Sequence, residues 1–174
     1  MPVRWLTSKR GFNKRETDRI FDFASYAFDA AWCKMIYAMM IGSCLCVPSE
    51  GEQEADGAAA LRKYQVNYAV LILSVAWFSA VELPDSLRTF HFGGEPLKAA
   101  LMKEFSTRST VIKAYSPAEC STISMAIVTR PNNANDSTIG IDPGACTWVV
   151  KADVTDLMPV GEIGELWMEG PIVD

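Results

Sequence analysis

The sequence predicts an α/β fold: a mostly parallel sheet with helices on its faces, followed by the start of a smaller β-rich unit. Three observations carry this. Short β-prone runs alternate with helical patterns up to about residue 128, and such alternation implies parallel strands joined by helical crossovers. Beyond that point the alternation stops, and an Asn-rich loop leads to two β-prone runs separated by turns. With 174 residues, 49% of them hydrophobic and including five Trp and eight Phe, the chain can bury the core that one such domain needs.

The elements follow in order. Residues 1–18 are polar and form an irregular leader. Residues 19–128 form the α/β core, and 129–174 a truncated β-rich portion. Arg19–Ala24 is a short strand carrying Ile20, Phe21 and Phe23. Asp29 can cap the helix that follows, and Trp32, Met35, Ile36, Met39 and Met40 recur at three and four to make its apolar face. Gly42 ends that helix, Ser43–Val47 is a strand, and the acidic Ser49–Gly57 is a surface loop. Next come a helix over Ala58–Gln65, a buried strand over Tyr68–Leu73, a helix-like Ser74–Val81 and a turn around Pro84. Leu87–Phe92 is a strand, Gly93–Pro96 a turn, Leu97–Phe105 a helix and Thr110–Ala114 a strand. In the last portion Thr147–Lys151 and Glu165–Glu169 are strands, with turns near Asp153–Asp156 and Pro159–Gly164.

Charge and composition exclude several classes. The net charge is -5 and no dense Lys/Arg stripe exists, so nucleic acid is not an expected partner. The basic residues among the first 19 are interrupted by Glu16 and Asp18 and read as a solvated leader. Five cysteines, without a Cys-x-x-Cys pair, suit a reducing compartment better than a disulfide scaffold. With a single histidine, a zinc site is not expected. The greasiest stretches, Met35–Val47 and Val66–Phe78, fall short of the ~18–20 residues that span a bilayer. No membrane association and a cytoplasmic location are the expectation.

The chemistry concentrates where strands give way to loops, which is where open α/β proteins bind ligands. Gly93–Gly94 follows a strand and serves equally as a plain turn or as a close approach for a flat ligand. Glu119 can hold a metal on a phosphate or cap the next segment. Asp29 is either a helix cap or a ligand contact. His91 alternates with Phe90 and Phe92, so it faces away from them; with no nucleophile partner in reach it reads as packed or pocket-lining. No Gly-x-x-x-x-Gly-Lys-Ser/Thr or Gly-x-Gly-x-x-Gly loop occurs.

From Arg19 to Asp174 an ordered set of segments resembles the adenylation domain of fungal non-ribosomal peptide synthetases, within the adenylate-forming (AMP-binding) enzymes. Phe23-Ala-Ser-Tyr-Ala-Phe-Asp29 looks like the amino-acid pocket segment. Phe92-Gly-Gly-Glu-Pro-Leu97 looks like the loop against the adenine, and Ala114-Tyr-Ser-Pro-Ala-Glu119 like the central aromatic–Gly–Pro–Thr/Ala–Glu motif. Ile139-Gly, Trp148-Val-Val and Pro159-Val-Gly to Glu169-Gly-Pro match the downstream core.

The resemblance implies the central portion of the large amino-terminal domain of such an enzyme. Asp29 would pair with the substrate α-amino group. Ala30, Cys33, Val70, His91, Gly93, Ala114, Thr122 and Ile123 would line the side-chain pocket. Gly93, Gly94, Glu95 and Ala114 would lie near the adenine, Tyr115 would stack on it, and Glu119 would help hold Mg²⁺ at the phosphates. The implied reaction joins an amino acid and ATP into an aminoacyl-adenylate with release of pyrophosphate. Transfer then follows to the phosphopantetheine thiol of a partner carrier protein or domain. The family's lysine-containing phosphate loop would precede this sequence. Its ribose-holding Thr-Gly-Asp segment and small carboxyl-terminal subdomain would follow it. Ser116 stands where the family has Gly, and Ala118 where many members have Thr. The expectation is a partial domain with little or no catalysis of its own. The alternatives are a non-catalytic nucleotide-binding or interaction protein derived from it, or an acyl- or aryl-acid–CoA ligase-like fragment. A carboxylate at Asp29 argues against the last, because an aryl acid has no amino group to pair.

Overall fold

The alternation of strand and helix builds a six-stranded sheet in the order β2-β1-β3-β4-β5-β6. It is seen in a computed structural model that describes residues 13–72, 83–96, 99–115, 117–120, 125–129, 139–140, 146–152, 156–170 and 173. The strands are β1 (Arg19–Phe21), β2 (Cys44–Cys46), β3 (Tyr68–Leu71), β4 (Thr89–Phe92), β5 (Thr110–Tyr115) and β6 (Met125–Thr129). The first five pair in parallel, and β6 runs antiparallel to β5. A two-stranded antiparallel sheet follows, with β7 (Cys146–Val150) against β8 (Glu165–Glu169) and Trp148 opposite Trp167. Gly164 enters β8 so close to β7 that a Cβ there would stand 2.3 Å from the Val150 carbonyl oxygen, a place for glycine alone. Among the described residues no helix is long and apolar enough to cross a membrane.

Four helices are described: α1 (Asp29–Ile41), α2 (Glu50–Ala55), α3 (Gly57–Lys63) and α4 (Ala99–Ser106). The acidic segment expected to be a loop is largely α2. Ser49 supplies the reason: its hydroxyl accepts from the Glu52 N–H while the Glu52 carboxylate accepts from the Ser49 N–H. This reciprocal pair satisfies amides that a helix start leaves open, and Lys63 adds a 2.5 Å bond to Glu52. Gly42 ends α1 in the left-handed region, at φ 76°. The Ser74–Val81 helix expectation lies outside the described residues, as do the first 12 residues of the leader.

Two corrections concern α1. Phe28, not Asp29, occupies its cap position; Asp29 is its first residue, and its carboxylate accepts from the Ala30 N–H at 2.7 Å. The residues expected to form the buried stripe largely face outward: Trp32 is 55% exposed, and Ile36, Met39 and Met40 are exposed too. The sheet receives Ala31, Cys33, Lys34, Tyr37 and Ala38 instead. Both sets recur at three and four, so spacing alone cannot choose. Small Ala31 and Ala38 let the backbone approach the sheet, and the Lys34 ammonium pairs with buried Asp22.

The register divides the sheet into two faces. Phe21, Ala69, Phe90 and Val111 share one, packed with Leu61, Met102 and Phe105 of α3 and α4. Ile20 and Tyr68, then Val70, His91 and Ile112, share the other, covered by Cys33, Tyr37 and Ala38 of α1.

Candidate functional site

The α1 face is where the predicted site residues meet. Val70 is the third residue of β3 and pairs with His91, the third of β4, which pairs with Ile112 of β5. Ala114 lies two residues further along β5, on the same face as Ile112. Cys33, Val70 and Ala114 belong to one packed cluster with Tyr68 and Tyr37. Asp29 and Ala30 stand half-buried in the first turn of α1, one turn before Cys33. All of these lie toward the carboxyl ends of parallel strands.

The loops after β4 and β5 rim that cluster. Gly93 follows β4, and a Cβ built there would stand 3.6 Å from the Ala114 Cβ. A side chain would therefore fill the space between the two strand ends, which the glycine leaves open to a flat group. Gly94 (φ 80°) and Glu95 continue the turn, exposed. Tyr115 ends β5 and is 39% exposed. Glu119 is exposed on a 3₁₀ turn over Ala118–Cys120. Thr122 and Ile123 lie outside the described residues.

The approach to α1 is fixed from both sides. Lys34 pairs with Asp22 and donates to the Ala24 carbonyl at 3.5 Å. The Tyr26 hydroxyl donates to Asp22 at 3.0 Å, and the Trp32 indole donates to the Tyr26 carbonyl at 3.0 Å. Removing one member of a buried pair strands the other charge, so this pair holds the loop that delivers Asp29.

His91 is buried, with its ring edge-on to Tyr68 at 6.5 Å. Burial, with the nearby Lys14 ammonium, pushes its pKa down to about 3. It is neutral at pH 7, which suits a packed or lining residue and not a cationic partner. Phe90 and Phe92 point to the opposite face, as the alternation predicts.

Lys14 is the buried residue that sequence reasoning missed. The leader was expected to be solvated, yet Lys14 is 2% exposed and Asp18 1%. Asp18 accepts from the Arg88 guanidinium and from the Arg15 N–H at 2.8 Å. The Lys14 ammonium lies 4.6 Å from the centroids of both the Tyr37 and Tyr68 rings, and burial lowers its pKa to about 8. A lysine in an irregular polar segment carries no periodic signal that could have found it.

A carboxylate at a helix start, a glycine turn, an exposed aromatic residue and an exposed carboxylate follow the carboxyl ends of parallel strands in an open α/β domain. The AMP-binding enzyme family model matches residues 3–173, and the chain belongs to that family. It is 41% identical over 157 residues to the nonribosomal peptide synthetase ungA' of Aspergillus campestris, covering 90% of this chain and 2% of that protein. It is 40% identical over 158 residues to the nonribosomal peptide synthetase imqB of Aspergillus flavus, covering 90% of this chain and 5% of that one. The chain therefore spans a small fraction of the synthetases it matches.

Among solved structures it resembles the NpsA N-terminal subdomain of Klebsiella oxytoca in complex with 3-hydroxybenzoyl-AMSN. The TM-score is 0.76 at 20% identity, with 92% of this chain and 42% of that one covered. An artificially fused adenylation–PCP di-domain, NpsA-ThdA from Klebsiella oxytoca, matches with TM-score 0.76 at 20% identity, covering 92% of this chain and 32% of the other. The expected α/β fold of an adenylation-domain amino-terminal portion is borne out.

Proposed function

We propose that these residues are part of an ATP-dependent amino-acid-adenylating domain of a fungal nonribosomal peptide synthetase. The observation that supports the reading best is the packing of α1, which carries Asp29 in its first turn, over the β3–β5 face through Cys33, Tyr37 and Ala38. The half-buried carboxylate suits a substrate ammonium. Ala30, Cys33, Val70, His91, Gly93 and Ala114 suit the walls of a side-chain pocket; Thr122 and Ile123 are proposed for the same wall. Gly93, Gly94, Glu95 and Ala114 suit the adenine edge, and the ring of exposed Tyr115 suits stacking on it.

In the proposed reaction the substrate carboxylate attacks the α-phosphorus of ATP, and pyrophosphate leaves with the bond's electrons. A hard oxygen donor such as Glu119 fits Mg²⁺, which takes one or two carboxylates with phosphate oxygens and water. Among the described residues no cluster of three His, Cys, Asp or Glu could hold a metal by itself. Mg²⁺ would neutralise phosphate charge there. The onward acceptor proposed is a carrier-protein thiol, in the cytoplasm.

The chain corresponds to 42% of the NpsA subdomain. The reading therefore includes ligand binding by these 174 residues without turnover. Titration with ATP and a hydrolysis-resistant aminoacyl-adenylate sulfamate tests it. Binding is expected, with Tyr115→Ala weakening it at least tenfold and pyrophosphate exchange staying at background. No binding to either ligand contradicts the site, and robust exchange contradicts the lack of turnover.

A further inference from the structure

We infer that Asp22 is a positioning residue for recognition of the substrate amino group: its buried carboxylate grips Lys34 of α1 and Tyr26 of the preceding loop together, and so sets where Asp29 stands. The inference rests on the adenylating reading of the site and deepens it.

The start of α1 lacks its usual fastening. Phe28 occupies the cap position and makes no side-chain cap bond. The bond described for Asp29 is to the adjacent Ala30 N–H; it travels with the helix and cannot fix its place. Asp22 supplies a fastening from outside the helix. It directly follows β1 and is 3% exposed. Its backbone is held on two sides. Its N–H donates to the Cys46 carbonyl of β2 at 2.8 Å, and its carbonyl accepts from the Gln53 side-chain amide of α2 at 3.3 Å. From that fixed point the carboxylate pairs with the Lys34 ammonium and accepts from the Tyr26 hydroxyl at 3.0 Å. Lys34 stands five residues after Asp29 and Tyr26 three before it, so one carboxylate holds Asp29 from both directions. The Lys34 bond to the Ala24 carbonyl and the Trp32 bond to the Tyr26 carbonyl close the loop between them.

The consequence is selective. A hydrogen bond weakens steeply once distance or angle is lost, and binding groups must be held within about 0.5 Å of their productive place. Lys34 lies roughly 7.5 Å along the helix from Asp29, so a slide of α1 at the pair carries Asp29 with it. Val70, His91 and Ala114 belong to the strands and stay where they are. Loosening the grip therefore costs the amino contact before it costs the rest of the site.

The test is calorimetric titration of the 174-residue chain with hydrolysis-resistant leucyl-, phenylalanyl- and glutaminyl-adenylate sulfamates. The tightest is then compared with its counterpart lacking the α-amino group. Wild type is expected to favour the amino compound at least tenfold. Asp22→Asn with Lys34→Met removes the pair without stranding a charge. It is expected to cut the preference below threefold, with affinity for the amino-free compound within twofold of wild type. Tyr26→Phe, at a residue 55% exposed, is expected to lower the preference two- to threefold, and it decides the matter if the double variant does not fold. A purely structural role would weaken both compounds alike or neither, so equal losses or an unchanged preference overturn the inference and leave the adenylate site standing. Wild-type binding without preference for the amino compound removes the Asp29 contact and the inference together. If none of the three compounds binds, the adenylating reading fails as well.

Discussion

The two faces of the six-stranded sheet are built from different chemistry. The face under α3 and α4 is closed by Phe90, Phe92 and Phe105, with ring centroids 4.8–5.6 Å apart. The face under α1 buries Lys14, Lys34, Tyr68 and His91. Apolar burial is non-directional and stabilises roughly in proportion to area, whereas a buried charge costs free energy unless it is paired. One face therefore supplies stability. The other gives up some of it to buried polar and charged groups.

The largest effect that separates the faces is in packing. Phe90→Ala is expected to destabilise the chain by about 3–5 kcal/mol, by the same amount across pH 5–9, in urea unfolding. A strongly pH-dependent loss would mean that the two faces are not separate.

Smaller effects belong to the α1 face and depend on pH. His91 is held neutral down to about pH 3 in the fold, against an ordinary value of 6.5. Below 6.5 the unfolded chain takes up a proton that the folded chain refuses, so stability falls as pH falls. From pH 6.5 to 5 the loss is expected to be about 1–2 kcal/mol, and absent in His91→Leu. Lys14 works at the other end. Its folded pKa of about 8 lies below the ordinary 10.5, so the cost of burying its charge is complete below pH 8 and is relieved as pH rises toward 10.5. From pH 7 to 9 wild type should gain about 1 kcal/mol relative to Lys14→Met. Comparing the two proteins cancels the opposing contribution of Cys46, whose thiol burial pushes up to about 11.

The same contrast explains what the sequence made legible. The aromatic face follows from Phe90 and Phe92 alternating in one strand, with Phe105 on the next helix, because hydrophobic periodicity records burial directly. The candidate site was legible through motif order and strand ends, so Asp29, His91, Gly93 and Tyr115 could be named. Lys14 could not, because its burial depends on Tyr37 and Tyr68, which are 23 and 54 residues away. The inward side of α1 was misassigned because the helix is apolar on both sides, and the choice is made by the Lys34–Asp22 pair and by small Ala31 and Ala38. The Ser49–Gly57 segment was misassigned as a loop because its acidity hid the reciprocal bonds of Ser49 and Glu52 that start α2.

The most direct test of the division between faces is Asp29→Ala, read simultaneously by thermal unfolding and by binding of an aminoacyl-adenylate sulfamate. Asp29 is half-buried and its described hydrogen bond is to the adjacent Ala30 N–H. The account predicts at least a tenfold loss of affinity with a midpoint within a few degrees of wild type, since such a residue contributes about 1 kcal/mol or less to the helix start. Unchanged affinity would contradict it, and so would a collapse of the fold.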